Sequence, residues 1–168
     1  PSVEFFSRFN LDPKRPRVAL LPGSRRNEIR HNLPAMLESV LSLQSRRPEI
    51  EFLLAASSTV GMDFIADGID RWQRSTARET PLRLIKNHTR DVLQCSNVAV
   101  VSSGTATLEA ALMGTPLVCV YKVAPLTWWV GQKLIDVDYY CLVNLILNRP
   151  VVRELYQSDF SAEALERE

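Results

Sequence analysis

Short apolar runs alternate with segments of helical periodicity along this chain. Apolar residues recur at helical spacing over residues 33–41 and again over residues 106–112. The apolar runs between such segments occupy residues 18–21, 52–56, 82–85, 98–101 and 117–121. Strands that alternate with helices predict a doubly wound α/β domain, with a mostly parallel sheet covered on both faces.

The first 16 residues lie outside this pattern. They contain three prolines and mixed charge, so we interpret residues 1–16 as a linker or lead-in and residues 17–168 as one domain. After Tyr121 the pattern predicts a helix around residues 127–135. An irregular stretch and a short helix near Arg153 are expected to follow.

Composition narrows the class of protein. With 168 residues, 46% of them hydrophobic, the chain can bury a core without a metal or a disulfide. A net charge of +1 with scattered basic residues disfavours nucleic acid as a partner. No apolar run reaches the roughly 20 residues that span a bilayer. The three cysteines have no CxxC spacing, which favours reduced thiols over structural zinc and suggests a cytoplasmic protein: Cys95, Cys119 and Cys141.

Two strand-to-helix turns carry anion-binding chemistry. The first contains Gly23, Ser24 and Arg25, in which glycine permits close backbone approach and arginine can pair with phosphate oxygens. The second contains residues 102–107, followed by Glu109, a carboxylate placed to accept hydrogen bonds from ribose. Each turn alone fits an ordinary capped helix equally well or better, but two such turns in one sheet favour a diphosphate site.

The motifs in their order resemble the lipid-A-disaccharide synthase family. The two longer motifs are residues 18–25 (VALLPGSR) with Glu28, and residues 103–109 (SGTATLE). Three short motifs follow at residues 138–139 (DY), 142–145 (LVNL) and 152–155 (VREL). The resemblance runs from about residue 16 to the end of the chain. It covers only the C-terminal, nucleotide-sugar-binding half of that family, whose members are inverting hexosyltransferases of GT-B architecture with two Rossmann-like domains.

The resemblance implies a role for each site residue. Arg25, beside Ser24, would contact the donor diphosphate; Ser103, Gly104 and Thr105 would cradle phosphate. Glu109 would hold ribose, and Asn144 would face the donor. The implied donor is UDP-2,3-diacylglucosamine and the acceptor is 2,3-diacylglucosamine 1-phosphate, joined with release of UDP. We predict no cofactor and no metal.

The resemblance also implies what this chain lacks. The acceptor side and the catalytic base belong to an N-terminal half that has no counterpart here, so we expect no catalytic residue in this chain and no turnover by the chain alone. The lipid substrates add a membrane surface as a partner, and a position peripheral to the inner membrane. Trp128 and Trp129 fit membrane or acyl contact, although core packing by at least one is the default.

Several alternatives stay open. The same pattern fits a flavodoxin-like receiver or another nucleotide-binding module without chemistry, or the UDP half of another UDP-sugar transferase or epimerase. A receiver, however, needs an acidic cluster after its early strands, which this chain lacks. The triplet at residues 136–138 (DVD) lacks further oxygen ligands for a metal. Asp63, Asp67 and Asp70 indicate a solvated helix face, and Thr89 is expected to cap a helix, with no catalytic role for His88.

Overall fold

A computed structural model describes residues 1–56, 61–124 and 138–168. The strands are β1 (Arg17–Leu21), β2 (Glu51–Ala56), β3 (Leu82–Lys86), β4 (Val98–Ser102), β5 (Leu117–Tyr121) and β6 (Arg153–Tyr156). The helices are α1 (Val3–Arg8), α2 (Arg26–Arg46), α3 (Met62–Thr76), α4 (Thr89–Cys95), α5 (Thr105–Leu112), α6 (Leu142–Leu147) and α7 (Ala162–Arg167). The helix predicted at 127–135, with Trp128 and Trp129, lies outside the described residues, as does Asp136.

The strands form one sheet in the order β3-β2-β1-β4-β5-β6, and all five pairings are parallel. The predicted doubly wound sheet is therefore confirmed. This order is that of a Rossmann fold, whereas a flavodoxin-like receiver has the order 2-1-3-4-5, so the receiver alternative is wrong. The chain reverses its direction of travel between β1 and β4. Ligands of such sheets bind at this reversal, beyond the carboxyl ends of the strands.

The short helix expected near Arg153 is wrong, because residues 153–156 form β6 at the edge of the sheet. This segment pairs with β5, with Val120 opposite Leu155 and Tyr121 opposite Tyr156. Leu155 is its one deeply buried residue, at 2% exposure. A four-residue edge strand with one buried side chain has too little periodicity to identify, and only pairing with β5 determines its conformation.

The four inner strands, β1, β2, β4 and β5, bury both of their faces. Alternate residues of β1, such as Leu20 and Leu21, point to opposite sides and join two separate apolar clusters. One cluster packs against α2, α3 and α7, and the other against α1, α4 and α5. Cys95, Cys119 and Cys141 are free and buried, as predicted. Among the described residues, the two helix layers cover the faces of the inner strands and leave their ends accessible.

The segment before β1 packs onto the domain. Phe5 of α1 is 4% exposed, and its ring lies 5.0 Å from that of Phe9 and 5.6 Å from that of His88. The buried guanidinium of Arg17 donates hydrogen bonds to the carbonyl oxygens of Asp12 and Cys95, both at 2.7 Å. The lead-in segment is thus held by aromatic packing and by a buried arginine.

The exposed face of α3 and the lengths of the helices test two expectations from the sequence. Asp63, Asp67 and Asp70 are exposed on α3, which confirms the solvated face predicted for them. Within the described ranges, no helix is both long and apolar enough to cross a membrane.

Truncation of Phe5 tests whether α1 belongs to the folded unit. Because Phe5 is buried against two rings, Phe5→Ala should lower the free energy of unfolding by about 3 kcal/mol. Val3→Ala on the same helix is the matched control, since Val3 is 84% exposed, and it should change stability by less than about 0.5 kcal/mol. Urea denaturation measures both. Equal stabilities for the two variants would contradict the docking of α1.

Candidate functional site

A cavity of about 270 Å³ opens at the carboxyl ends of β1 and β4. It lies at the reversal of strand order, where the Rossmann topology places ligands. Both predicted turns contribute to it. Its polar lining includes Gly23, Ser24, Glu28, Ser103, Gly104, Thr105 and Glu109.

Gly23 shapes the first turn, between β1 and α2. Its φ angle is +127°, and a Cβ atom at this position would lie 2.7 Å from Oε2 of Glu28. The carboxylate takes that space because it accepts hydrogen bonds from the backbone N–H groups of Ser24, at 3.1 Å, and Arg25, at 3.3 Å. The glycine therefore lets α2 cap itself with its own carboxylate.

Glu28 also holds Arg25. The Arg25 guanidinium donates to Oε1 of Glu28 at 2.7 Å, while the arginine side chain stays 82% exposed. Arg25 follows Ser24, which lines the cavity, but is not itself one of the lining residues. Glu28 therefore places its carboxylate at the start of α2 and orients the Arg25 side chain, whose guanidinium can pair with an anion.

The second turn has an open helix end. Gly104, the N-cap residue of α5, has a φ angle of +147° and no side chain with which to cap the helix. The first N–H groups of a helix have no acceptor within it, so those of Thr105 and Ala106 remain available to a ligand. The Thr107 N–H and hydroxyl both donate to the carbonyl oxygen of Gly104, at 3.1 and 2.7 Å. Fixed in this way, the start of α5 is an anion-receptive site facing the cavity.

Glu109 lies on the cavity side of α5. It is half-buried and four residues after Thr105, so both side chains are on one face of the helix. The structure thus brings together Ser24, Gly104, Thr105 and Glu109 around one space.

Ser103 lines the same cavity, but its donors are used within the protein. Its N–H donates to the carbonyl oxygen of Val120 at 2.9 Å, and its hydroxyl donates to that of Tyr140 at 2.6 Å. Ser103 therefore joins α5 to β5 and to the segment before α6. At the cavity its side chain can offer only an acceptor oxygen.

Asn144 is not part of this cavity. Its side chain is fully buried on α6, where Nδ2 donates to the carbonyl oxygen of Val152 at 2.7 Å and Oδ1 accepts from the N–H groups of Val151 and Val152. Nδ2 also donates to Oε1 of Glu154, at 2.5 Å. The hydrogen-bonding capacity of the amide is thus used to join α6 to β6 and to the two residues before it.

Two residues that sequence reasoning did not identify organise the site. Glu154 accepts the N–H groups of Tyr140 and Cys141 at Oε2, at 2.9 and 3.0 Å, and so fixes the segment that Ser103 contacts. Asn32 of α2 is fully buried and donates to the carbonyl oxygen of Pro22 and to the hydroxyl of Ser102. It ties the ends of β1 and β4 together. In the sequence, Asn32 could have been noticed as a polar residue on the apolar face of a predicted helix.

The remaining candidate residues are at the β3 side. Helix α4 begins at Thr89 with His88 at its cap position, so the expectation that Thr89 caps this helix is wrong. His88 Nδ1 lies 2.9 Å from Oδ2 of Asp91, and Thr89 lines the cavity. Over the parts of the chain that the structure describes, no three metal-ligating side chains cluster.

The contacts of Asn144 predict a structural effect on substitution. Asn144→Asp places a carboxylate against Glu154 and against the carbonyl oxygen of Val152, so the free energy of unfolding should fall by about 3 kcal/mol. Asn27→Asp, at an exposed position of α2, should change it by less than about 0.5 kcal/mol. Denaturant titration measures both. Unchanged stability together with lost ligand affinity would instead show that Asn144 contacts ligand directly.

Solved structures share this fold. E. coli ADP-heptose LPS heptosyltransferase II aligns over 96% of this chain and 47% of its own, with a TM-score of 0.61 and 13% identity. The C-terminal CMP-Kdo binding domain of WaaA from Acinetobacter baumannii aligns over 98% of this chain and 82% of its own, with a TM-score of 0.56 and 12% identity. The likeness shows the fold, a Rossmann-like half of the GT-B architecture.

Two curated proteins of similar sequence have the same name. Lipid-A-disaccharide synthase of Solibacter usitatus is 40% identical over 98% of this chain, and that of Geobacter sulfurreducens is 41% identical over the same share. The chain spans 41% of the length of each of these relatives. The family model described as lipid-A-disaccharide synthetase matches residues 3–168. This chain therefore belongs to the lipid-A-disaccharide synthetase family.

Proposed function

We propose that this chain binds the UDP portion of a nucleotide-sugar donor, as the donor side of a glycosyltransferase in lipid A synthesis. The observation that carries the proposal is the uncapped start of α5, which faces the cavity at the strand-order reversal beside a positioned arginine. Backbone N–H groups and a guanidinium together form a diphosphate site. The family name of the relatives gives the same reaction class.

The proposal places each part of UDP against a different element. The diphosphate accepts hydrogen bonds from the N–H groups at Thr105 and Ala106, with Arg25 reaching it from the rim. Glu109 accepts hydrogen bonds from the ribose hydroxyls, because it lies one turn along the same face of α5. The base then extends towards Thr89 and Ala55, which line the β2 side of the cavity.

This arrangement supports chemistry at the leaving group. When the sugar transfers, negative charge develops on the β-phosphate, and donors already fixed in place stabilise that charge without reorganisation. Arg25 is prearranged by Glu28, and the N–H groups are held by the helix. The donor assigned by this proposal is UDP-2,3-diacylglucosamine, and the acceptor is 2,3-diacylglucosamine 1-phosphate. Activation of the acceptor hydroxyl is assigned to residues outside this chain.

Removal of the arginine tests the diphosphate site. Arg25→Ala should weaken UDP binding by about 10- to 100-fold, because it removes a charge-assisted contact. Arg26→Ala is the matched control, since Arg26 lies over the Phe64 ring at 5.3 Å and should leave UDP affinity unchanged. Isothermal titration calorimetry measures both. Equal affinities for the wild-type chain and Arg25→Ala, or no UDP binding at millimolar concentration, would refute the site.

A second variant separates ribose from phosphate recognition. Glu109→Gln should weaken UDP by about tenfold, because a charged acceptor for the ribose hydroxyls is lost. Its affinity for inorganic pyrophosphate should stay unchanged, since that ligand has no ribose. Competition of both ligands with a fluorescent UDP analogue gives the two affinities. Equal losses for the two ligands would contradict the ribose assignment.

A further inference from the structure

Three tyrosines form a cluster at the carboxyl edge of the sheet. Tyr121 ends β5 and Tyr156 ends β6, and they are register partners. Tyr140, from the segment before α6, stacks on Tyr121 with ring centres 5.8 Å apart and planes inclined by 16°. The Tyr140 and Tyr156 rings form an edge-to-face pair, with centres 5.0 Å apart and planes inclined by 67°. All three side chains are half-buried, so the cluster is part of the surface at this edge.

Hydrogen bonds connect this tyrosine cluster to the start of α5. Ser103 immediately precedes Gly104, and its hydroxyl donates to the carbonyl oxygen of Tyr140. Its N–H donates to the carbonyl oxygen of Val120, the residue before Tyr121. The tyrosine cluster therefore lies on the β5 and β6 side of the diphosphate site, whereas Thr89 and Ala55 lie on the β2 side.

The tyrosine cluster is held in place before any ligand arrives. The backbone N–H of Tyr140 donates a hydrogen bond to the Glu154 carboxylate, and the side-chain amide of Asn144 donates another to the same carboxylate. Burial raises the pKa of Tyr121, and the nearby Glu28 carboxylate raises it further. The Tyr121 hydroxyl consequently stays protonated at neutral pH and remains a hydrogen-bond donor beside the first turn.

We propose that Tyr121 and Tyr140 form the platform that receives the hexosamine ring of the nucleotide-sugar donor. This inference rests on the proposed function. A diphosphate bound at the start of α5 has two ends; if the nucleoside extends to the β2 side, the sugar extends towards β5. There the apolar face of a pyranose ring packs on an aromatic ring, and the Tyr121 hydroxyl reaches a sugar oxygen. The platform would therefore contribute to sugar affinity and little to UDP affinity.

Binding of UDP and of UDP-N-acetylglucosamine, measured separately by calorimetry, tests this assignment. Tyr121→Leu and Tyr140→Leu should each weaken the nucleotide sugar by about three- to tenfold while leaving UDP affinity within about twofold. Tyr139→Leu is the matched control, because Tyr139 is half-buried nearby and outside the stacked pair, and it should leave both affinities unchanged.

The outcomes distinguish a failure of the proposed function from a failure of the tyrosine platform alone. If the wild-type chain binds no UDP, the proposed function fails and the platform fails with it. If UDP binds but neither leucine variant changes the affinity for the nucleotide sugar, or both ligands weaken equally, only the platform is overturned. Should the variants unfold, nuclear Overhauser effects in the wild-type complex decide. Contacts from sugar-ring protons to tyrosine ring protons support the platform, and contacts only to other residues overturn it.

Discussion

The reversal of strand order between β1 and β4 is the constraint on which the site depends. Because the two strands are neighbours and parallel, the helices that follow them begin side by side at one edge. Two helix starts with free N–H groups would make a strongly positive point. The protein uses them differently: Glu28 neutralises the start of α2, and the start of α5 is left open. Within the described residues, the start of α5 and the Arg25 side chain paired with Glu28 thus follow neighbouring strands at one edge.

The parts of this fold that local pattern determines were predictable. Strands β1, β2, β4 and β5 could be recognised as near-continuous apolar runs because both of their faces are buried. The two glycine-containing turns could be recognised because close backbone approach needs glycine, as Gly23 illustrates. These features follow from residues adjacent in sequence, so no knowledge of distant contacts was needed.

What could not be predicted depends on distant partners. The partners of Asn144 are an example, since the hydrogen bonds of its amide go to residues 151–154. Similarly, the donors of Ser103 are directed to Val120 and Tyr140. A polar residue in a motif can be retained for holding the site together as readily as for touching a ligand. Only the hydrogen-bond partners distinguish these two roles.

The pairing of Arg25 with Glu28 has a consequence for association kinetics. Opposite charges whose nearest atoms are 2.7 Å apart cancel beyond a few ångströms, so this pair adds little to the long-range field that attracts an anion from solution. The net charge of the whole chain is only +1 and adds little more. In the proposed function, Arg25 therefore acts on the diphosphate through short-range contact, and the pair contributes little to a salt-dependent, long-range attraction.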